Sequence, residues 1–239
     1  AQIGGEFVAA RLLRRRGVQL VRAVAGTVGD LTTEMVTQIA FTLFGLGLLL
    51  ILVGGGGVAR AALGGIGIAA AAAGGFVAAQ NFGLADLIER GLARLGAATG
   101  WSGFGEIEGL HAEIRRLYRQ PGRLLRAASW HSLSWLLGGA EVCLALHVLG
   151  HNVGLGAGMV IESLGQAVKA AGFAVPAAVG VQEGGLVVVC GLFGIAPELA
   201  IALSLAKRLR EVAFGVPALL AWQRLESGAA PMPAGAAAP

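Results

Sequence analysis

The chain has 239 residues, of which 56% are hydrophobic and 13% charged, against about 25% charged for a typical soluble domain. Its formal net charge is +4 and its mean hydropathy +0.74, which excludes a water-soluble enzyme. The excess of arginine is not a nucleic-acid footprint, because the arginines cluster beside apolar runs, where membrane topology explains them.

In chain order, a basic stretch from Arg11 to Arg22 precedes a helix that begins near Val18 and ends in the apolar run Met35 to Val53. A second run, Arg60 to Gln80, is rich in alanine and glycine, a third covers Ala128 to Leu149, and a fourth Val153 to Gly172. Each is near the roughly 17 to 25 residues that cross a bilayer. Trp130 and Trp135 lie near the start of the third, where amphipathic rings favour the interface. Between the second and third runs, Phe82 to Arg126 reads as two interfacial helices. Leu84, Leu87, Ile88, Leu92 and Leu95 share one face, as do Ile107, Leu110, Ile114 and Leu117, with Pro121 ending the second pattern. Arginines 90, 94, 115, 116, 119, 123 and 126 place this region on the cytoplasmic side.

The later segments are less regular. Val175 to Gly185, VPAAVGVQEGG, sets Pro176, Gly180 and Glu183 inside the apolar chain. Irregular backbone survives at membrane depth only where protein or a water-filled cavity surrounds it, so this stretch is the first candidate for the working site. Val181 to Phe193 is short enough for a re-entrant or half helix. Pro197 to Trp222 is long enough to cross, with Pro197 suited to a helix start. It carries Lys207, Arg208, Arg210 and Glu211 midway, which a lipid-facing helix does not tolerate. The tail at 227–239 has no packing pattern and reads as disordered.

Other charges fall within the spans. Asp30, Glu34 and Gln38 recur every four residues and share a helical face, and so do Glu162, Gln166 and Lys169. Glu162 and Lys169 are too far apart to pair directly, so partners from other helices are expected. The basic group at 207–210 suits a phosphate, since arginine binds phosphate in a bidentate fork; ordinary snorkelling from a misjudged span is the bland alternative. Glu6 with Arg11, Arg14, Arg15 and Arg16 could form a matching half, and the same residues could be a topology anchor.

Sliding the chain by 177 residues aligns Glu6 with Glu183, Gly17 with Gly194, Ala23 with Ala200 and Glu34 with Glu211. Transporters are often built from such repeats, with the site at their interface; chance similarity between two Ala/Gly/Leu-rich segments is the rival explanation. The glycines, as in Gly154-Leu155-Gly156-Ala157-Gly158, read as close-packing surfaces. Cys143 and Cys190 lack a metal-ligand pattern, His147 and His151 have no nearby carboxylate, and Ser132 and Ser134 have no G-x-S-x-G context. No catalytic residue, metal or cofactor is expected.

Three segments carry a resemblance: Pro176-Ala177-Ala178-Val179-Gly180-Val181-Gln182-Glu183-Gly184-Gly185, then Gly191-Leu192-Phe193-Gly194 and Ala202-Leu203-Ser204-Leu205-Ala206-Lys207-Arg208-Leu209. With Gln2-Ile3-Gly4-Gly5-Glu6 through Leu13 and on to Asp30-Leu31, the chain resembles the lysylphosphatidylglycerol synthetase transmembrane, or flippase-like, family, and looks closest to its hopanoid-biosynthesis branch. The resemblance implies further membrane helices before Ala1, lipid movement without covalent chemistry, and functional roles for Glu6, Arg11, Glu183 and Arg208, with Asp30 and Lys207 behind them.

The expected protein is therefore an all-α, polytopic transmembrane bundle with broken helices and a candidate internal repeat, forming one integral domain over 1–226. It is expected in a bacterial inner membrane, with membrane lipids as partners, hopanoids first. A flippase for anionic or aminoacylated phospholipids is the alternative. A scaffold that docks lipid-biosynthesis enzymes through Phe82 to Arg126 is the rival of another class.

Overall fold

The computed structural model describes residues 16–54, 109–171 and 180–227, with a few isolated positions outside them such as Gly5, Gly57 and Ala178. All regular structure among these residues is helical. Helix α1 spans Leu20–Leu52, α2 Leu110–Tyr118, α3 Pro121–Val148, α4 Leu155–Ala171, α5 Val181–Gly191 and α6 Pro197–Ser227. The Arg60 to Gln80 run, the Leu84 to Leu95 pattern, Glu6, Arg11 and Pro176 lie outside the described residues, and with Glu6 the start of the repeat's first half.

At 33 residues, α1 is about 50 Å long at 1.5 Å per residue. Its threonines turn inward on their own helix: the hydroxyls of Thr27, Thr32, Thr33, Thr37 and Thr42 donate to carbonyls one turn back. A polar atom in an apolar setting is thereby satisfied without a partner helix. Among the described residues α1 alone is long and apolar enough to cross a membrane by length and composition. Four such spans were expected. Helix α3 has the length, 28 residues, but His131, Glu141, His147 and three serines dilute it. Helix α4 is described over 17 residues, at the short limit for a crossing.

The boundaries follow local chemistry. Pro121 occupies the first turn of α3 rather than merely ending the helix before it, since a first-turn proline loses no hydrogen bond that the helix needs. Helices α3 and α5 close alike: His151 N–H donates to the Leu146 carbonyl at 2.8 Å and Ile195 N–H to the Cys190 carbonyl at 3.1 Å, around Gly150 and Gly194. Pro197 then opens α6.

Helix α1 packs on α2, α3 and α4, α4 also on α3 and α5, and α6 on α5 and α3. The core at their centre comprises Leu49, Val142, Leu146, Val160, Ile161, Leu186, Val189, Cys190, Ile195, Ala200 and Leu203. Close approach depends on missing side chains. A Cβ on Gly158 of α4 would sit 2.8 Å from the Gly139 carbonyl oxygen of α3, and one on Gly185 of α5 would sit 2.4 Å from a methyl of Val168. Helix α2 lays Leu110 and Ile114 against Ala25 and Val24 of α1, so the second amphipathic pattern is covered by protein on its apolar face. The outer half of α6 leaves Val212, Phe214, Val216, Leu219 and Leu220 exposed, an apolar surface that suits lipid.

Candidate functional site

The middle of α6 carries Lys207, Arg208, Arg210 and Glu211, and each finds an oppositely charged partner on another helix. Lys207 Nζ lies 2.5 Å from Glu162 Oε2 on α4, in a pair whose side chains are only 6% and 4% exposed. Arg208 donates to Glu183 Oε1 on α5 through Nε at 2.7 Å and reaches the same oxygen with an Nη at 2.6 Å. Arg210 pairs with Glu141 on α3, and Glu211 accepts from Lys169 of α4 at 2.6 Å. Isolated charges in an apolar bundle are costly, and mutual pairing is how such groups persist there.

Local structure aims these groups. Glu183 sits in the first turn of α5, where its Oε2 accepts the Gly180 N–H at 2.7 Å and so satisfies a donor that the helix start would otherwise leave open. Gly180 holds φ +80°, a left-handed backbone that a side chain would strain, so the glycine and the glutamate act together to start α5 and fix the carboxylate. Ser204 Oγ of α6 approaches Glu183 Oε1 at 3.5 Å. On α4, Gln166 Nε2 donates to Glu162 Oε1 at 2.9 Å, and across from it Gly138 of α3 leaves room: a Cβ there would meet Glu162 Oε1 at 2.8 Å.

Beside the sealed pair lies a cavity of about 10 Å³, walled by Glu162, Gln166, Lys169, Gln182, Leu186 and Lys207. A second, open groove of about 210 Å³ runs between α1 and α3 past Thr37, Phe41, Phe44, Ser132 and Trp135. The Phe41 and Trp135 rings are nearly parallel, 6.2 Å apart, and Trp135 Nε1 donates to Thr37 Oγ1 at 3.3 Å. Trp130 is exposed, whereas Trp135 turns onto α1 instead of marking the interface.

The structure thus gathers Glu162, Lys169, Glu183, Lys207, Arg208 and Arg210 into one cluster and leaves two other candidates apart from it. Asp30 bonds His131 Nε2 of α3 at 3.1 Å. Glu34 is half-buried, one turn along α1 from Asp30 on the same helical face. Ala178 and Gly180 are the described positions just before α5, both at positive φ, which makes the chain irregular where the proline-to-glycine motif was singled out. Sequence reasoning missed Glu141, His131 and Gln182. Glu141 had a signal, as the single acid of an apolar run; His131 and Gln182 acquire meaning only through contacts across helices.

With equal numbers of cations and carboxylates, the cluster is neutral as it stands. A charged head group can enter by exchange, replacing one member of a pair, and the Arg208–Glu183 pair, 24% and 25% exposed, offers an easier entry than the sealed Lys207–Glu162 pair. No side chain in the cluster is a nucleophile held by a base in the manner of acyl-transfer enzymes.

The family model of the lysylphosphatidylglycerol synthase TM region matches residues 1–218. No curated protein and no solved structure matches significantly. An all-helical bundle, an apolar helix of membrane length and a match across nearly the whole chain agree: the protein belongs to the lysylphosphatidylglycerol synthase transmembrane-region family, a flippase-like family of membrane proteins.

Proposed function

We propose that this protein moves or hands on a membrane lipid, without covalent chemistry, in a bacterial inner membrane. The observation that carries the reading is the neutral cluster of cross-helix pairs, Lys207–Glu162, Arg208–Glu183, Arg210–Glu141 and Lys169–Glu211. Such groups inside membrane proteins characteristically line substrate paths. Arg208 and Glu183 meet the polar end of the lipid by exchanging partners with it, while the exposed apolar face of α6 accompanies the hydrocarbon. For the cargo we propose a hopanoid bound for the outer membrane, on the resemblance of the proline-to-glutamate motif; an anionic or aminoacylated phospholipid is the alternative that the basic group favours.

The test is lipid redistribution in cells and in proteoliposomes made with hopanoid or with phosphatidylglycerol. Glu183→Gln and Arg208→Ala should each abolish movement while the protein stays inserted. Normal lipid distribution in either variant would sink the assignment, and the lipid that moves separates the two cargoes. Loss of function on deleting 82–126 alone, with both point variants active, would instead support a scaffold for lipid-biosynthesis enzymes.

A further inference from the structure

The cavity enclosed by α4, α5 and α6 measures about 10 Å³, close to the roughly 10–15 Å³ that one water requires along with two to four polar partners. Those partners are present. Gln182 is 3% exposed, and its Oε1 accepts no hydrogen bond among the described residues. A buried acceptor left empty is costly, and here it borders a space of the right size. Lys207 Nζ has three donors and gives one to Glu162. The same cavity reaches Lys169, whose partner Glu211 is 42% exposed, so it joins the sealed pair to the accessible one.

We propose that this cavity holds one water, which accepts from Lys207 and donates to Gln182 Oε1, and that together they make Glu162 a proton-loading site. A proton entering from the Lys169–Glu211 side crosses the water to the Glu162 carboxylate, and Lys207 is left without its counter-charge. The other charges on the helices packed against α4 are Glu183, matched by Arg208, Glu141, matched by Arg210, and on α1 Asp30, matched by His131, with Glu34 a further acid; on α4 itself Lys169 is matched by Glu211. Lys207 is therefore the principal opponent of the proton. An anionic head group taken up at Arg208, the neighbour of Lys207 on α6, offsets this opposition, so binding an anionic lipid and loading a proton favour each other, as linkage requires. The coupling of proton to lipid rests on the transport reading above; the proton site itself does not.

Two measurements test it on the full-length protein. Infrared difference spectra in H₂O and D₂O should show a protonated-carboxyl band that grows when vesicles containing phosphatidylglycerol are supplied, vanishes in Glu162→Gln and weakens in Gln182→Leu, which fills the site without an acceptor. In proteoliposomes, a one-unit pH gradient should bias the leaflet ratio of the moved lipid up to about tenfold for one proton per lipid. A band indifferent to both substitutions overturns the proton site, and a leaflet ratio indifferent to the gradient overturns the coupling. If no lipid moves under any condition, the transport reading fails and the infrared band alone decides the site. Should Glu162→Gln fail to insert, the Gln182→Leu comparison decides it.

Discussion

Replacing Lys207 by methionine strands the Glu162 carboxylate, 4% exposed, beside an apolar side chain of similar length. Removing one member of a buried pair costs about 3–5 kcal/mol, because the remaining charge has lost its counter-ion and cannot recover water. Gln166 still donates to Oε1, which puts the expectation at the lower end, about 3 kcal/mol. The double variant Glu162→Gln/Lys207→Met removes both charges, and such replacements are often neutral or stabilising, so it should unfold within about 1 kcal/mol of the parent. The two variants and the parent can be compared by denaturant unfolding in mixed micelles, read by helical circular dichroism. Acid should relieve the single variant selectively, because the stranded carboxylate then takes up a proton and stops being a buried charge; the double variant should show no such rescue. A double variant as unstable as the single one would refute the argument, since the damage would then come from lost packing and not from the unpaired charge.

Gly158→Ala should destabilise by about 1–3 kcal/mol through overpacking, because its Cβ meets Cys143 Sγ at 2.3 Å and the Gly139 carbonyl at 2.8 Å. Gly184→Ala, with nothing within 4 Å, is the matched control, and thermal unfolding of both in one detergent checks the contrast. Gly180→Ala should cost about 1–2 kcal/mol for a left-handed backbone and loosen the start of α5, visible as faster amide exchange over 181–184. Cys190, fully buried, should resist maleimide under conditions that label the partly exposed Cys143; equal labelling would mean that α5 is not packed as described.

Much of the helical framework was legible because glycine and proline punctuate it. Val181 and Pro197 open α5 and α6 as the sequence indicated, the first after the positive-φ Gly180. The face shared by Glu162, Gln166 and Lys169 was also readable, since it needs only 3.6-residue periodicity. Pairing across helices was not. That Lys169 meets Glu211 and Glu162 meets Lys207 depends on how α4 and α6 are set against each other, and Glu141 looked like a lone charge until Arg210 reached it. Of the three expected spans within the described residues, hydrophobicity alone marks only α1, for a related reason. Helix α3 pairs two of its polar residues with other helices, His131 with Asp30 and Glu141 with Arg210, so it can pack on one side without being apolar throughout.

The cluster on α6 also constrains how the bundle can move. Within five residues, α6 engages three different helices: Lys207 and Glu211 face α4, Arg208 faces α5 and Arg210 faces α3. Advancing the helix by one residue turns it about 100°, which unseats all four at once and presents none of them with a substitute. Helix α6 behaves as a keyed shaft and has no partial rotation of low energy. Short α5 is tied to that shaft at the Arg208–Glu183 contact and held in the core by Leu186, Val189 and Cys190, so it shares the frame that α6 locks.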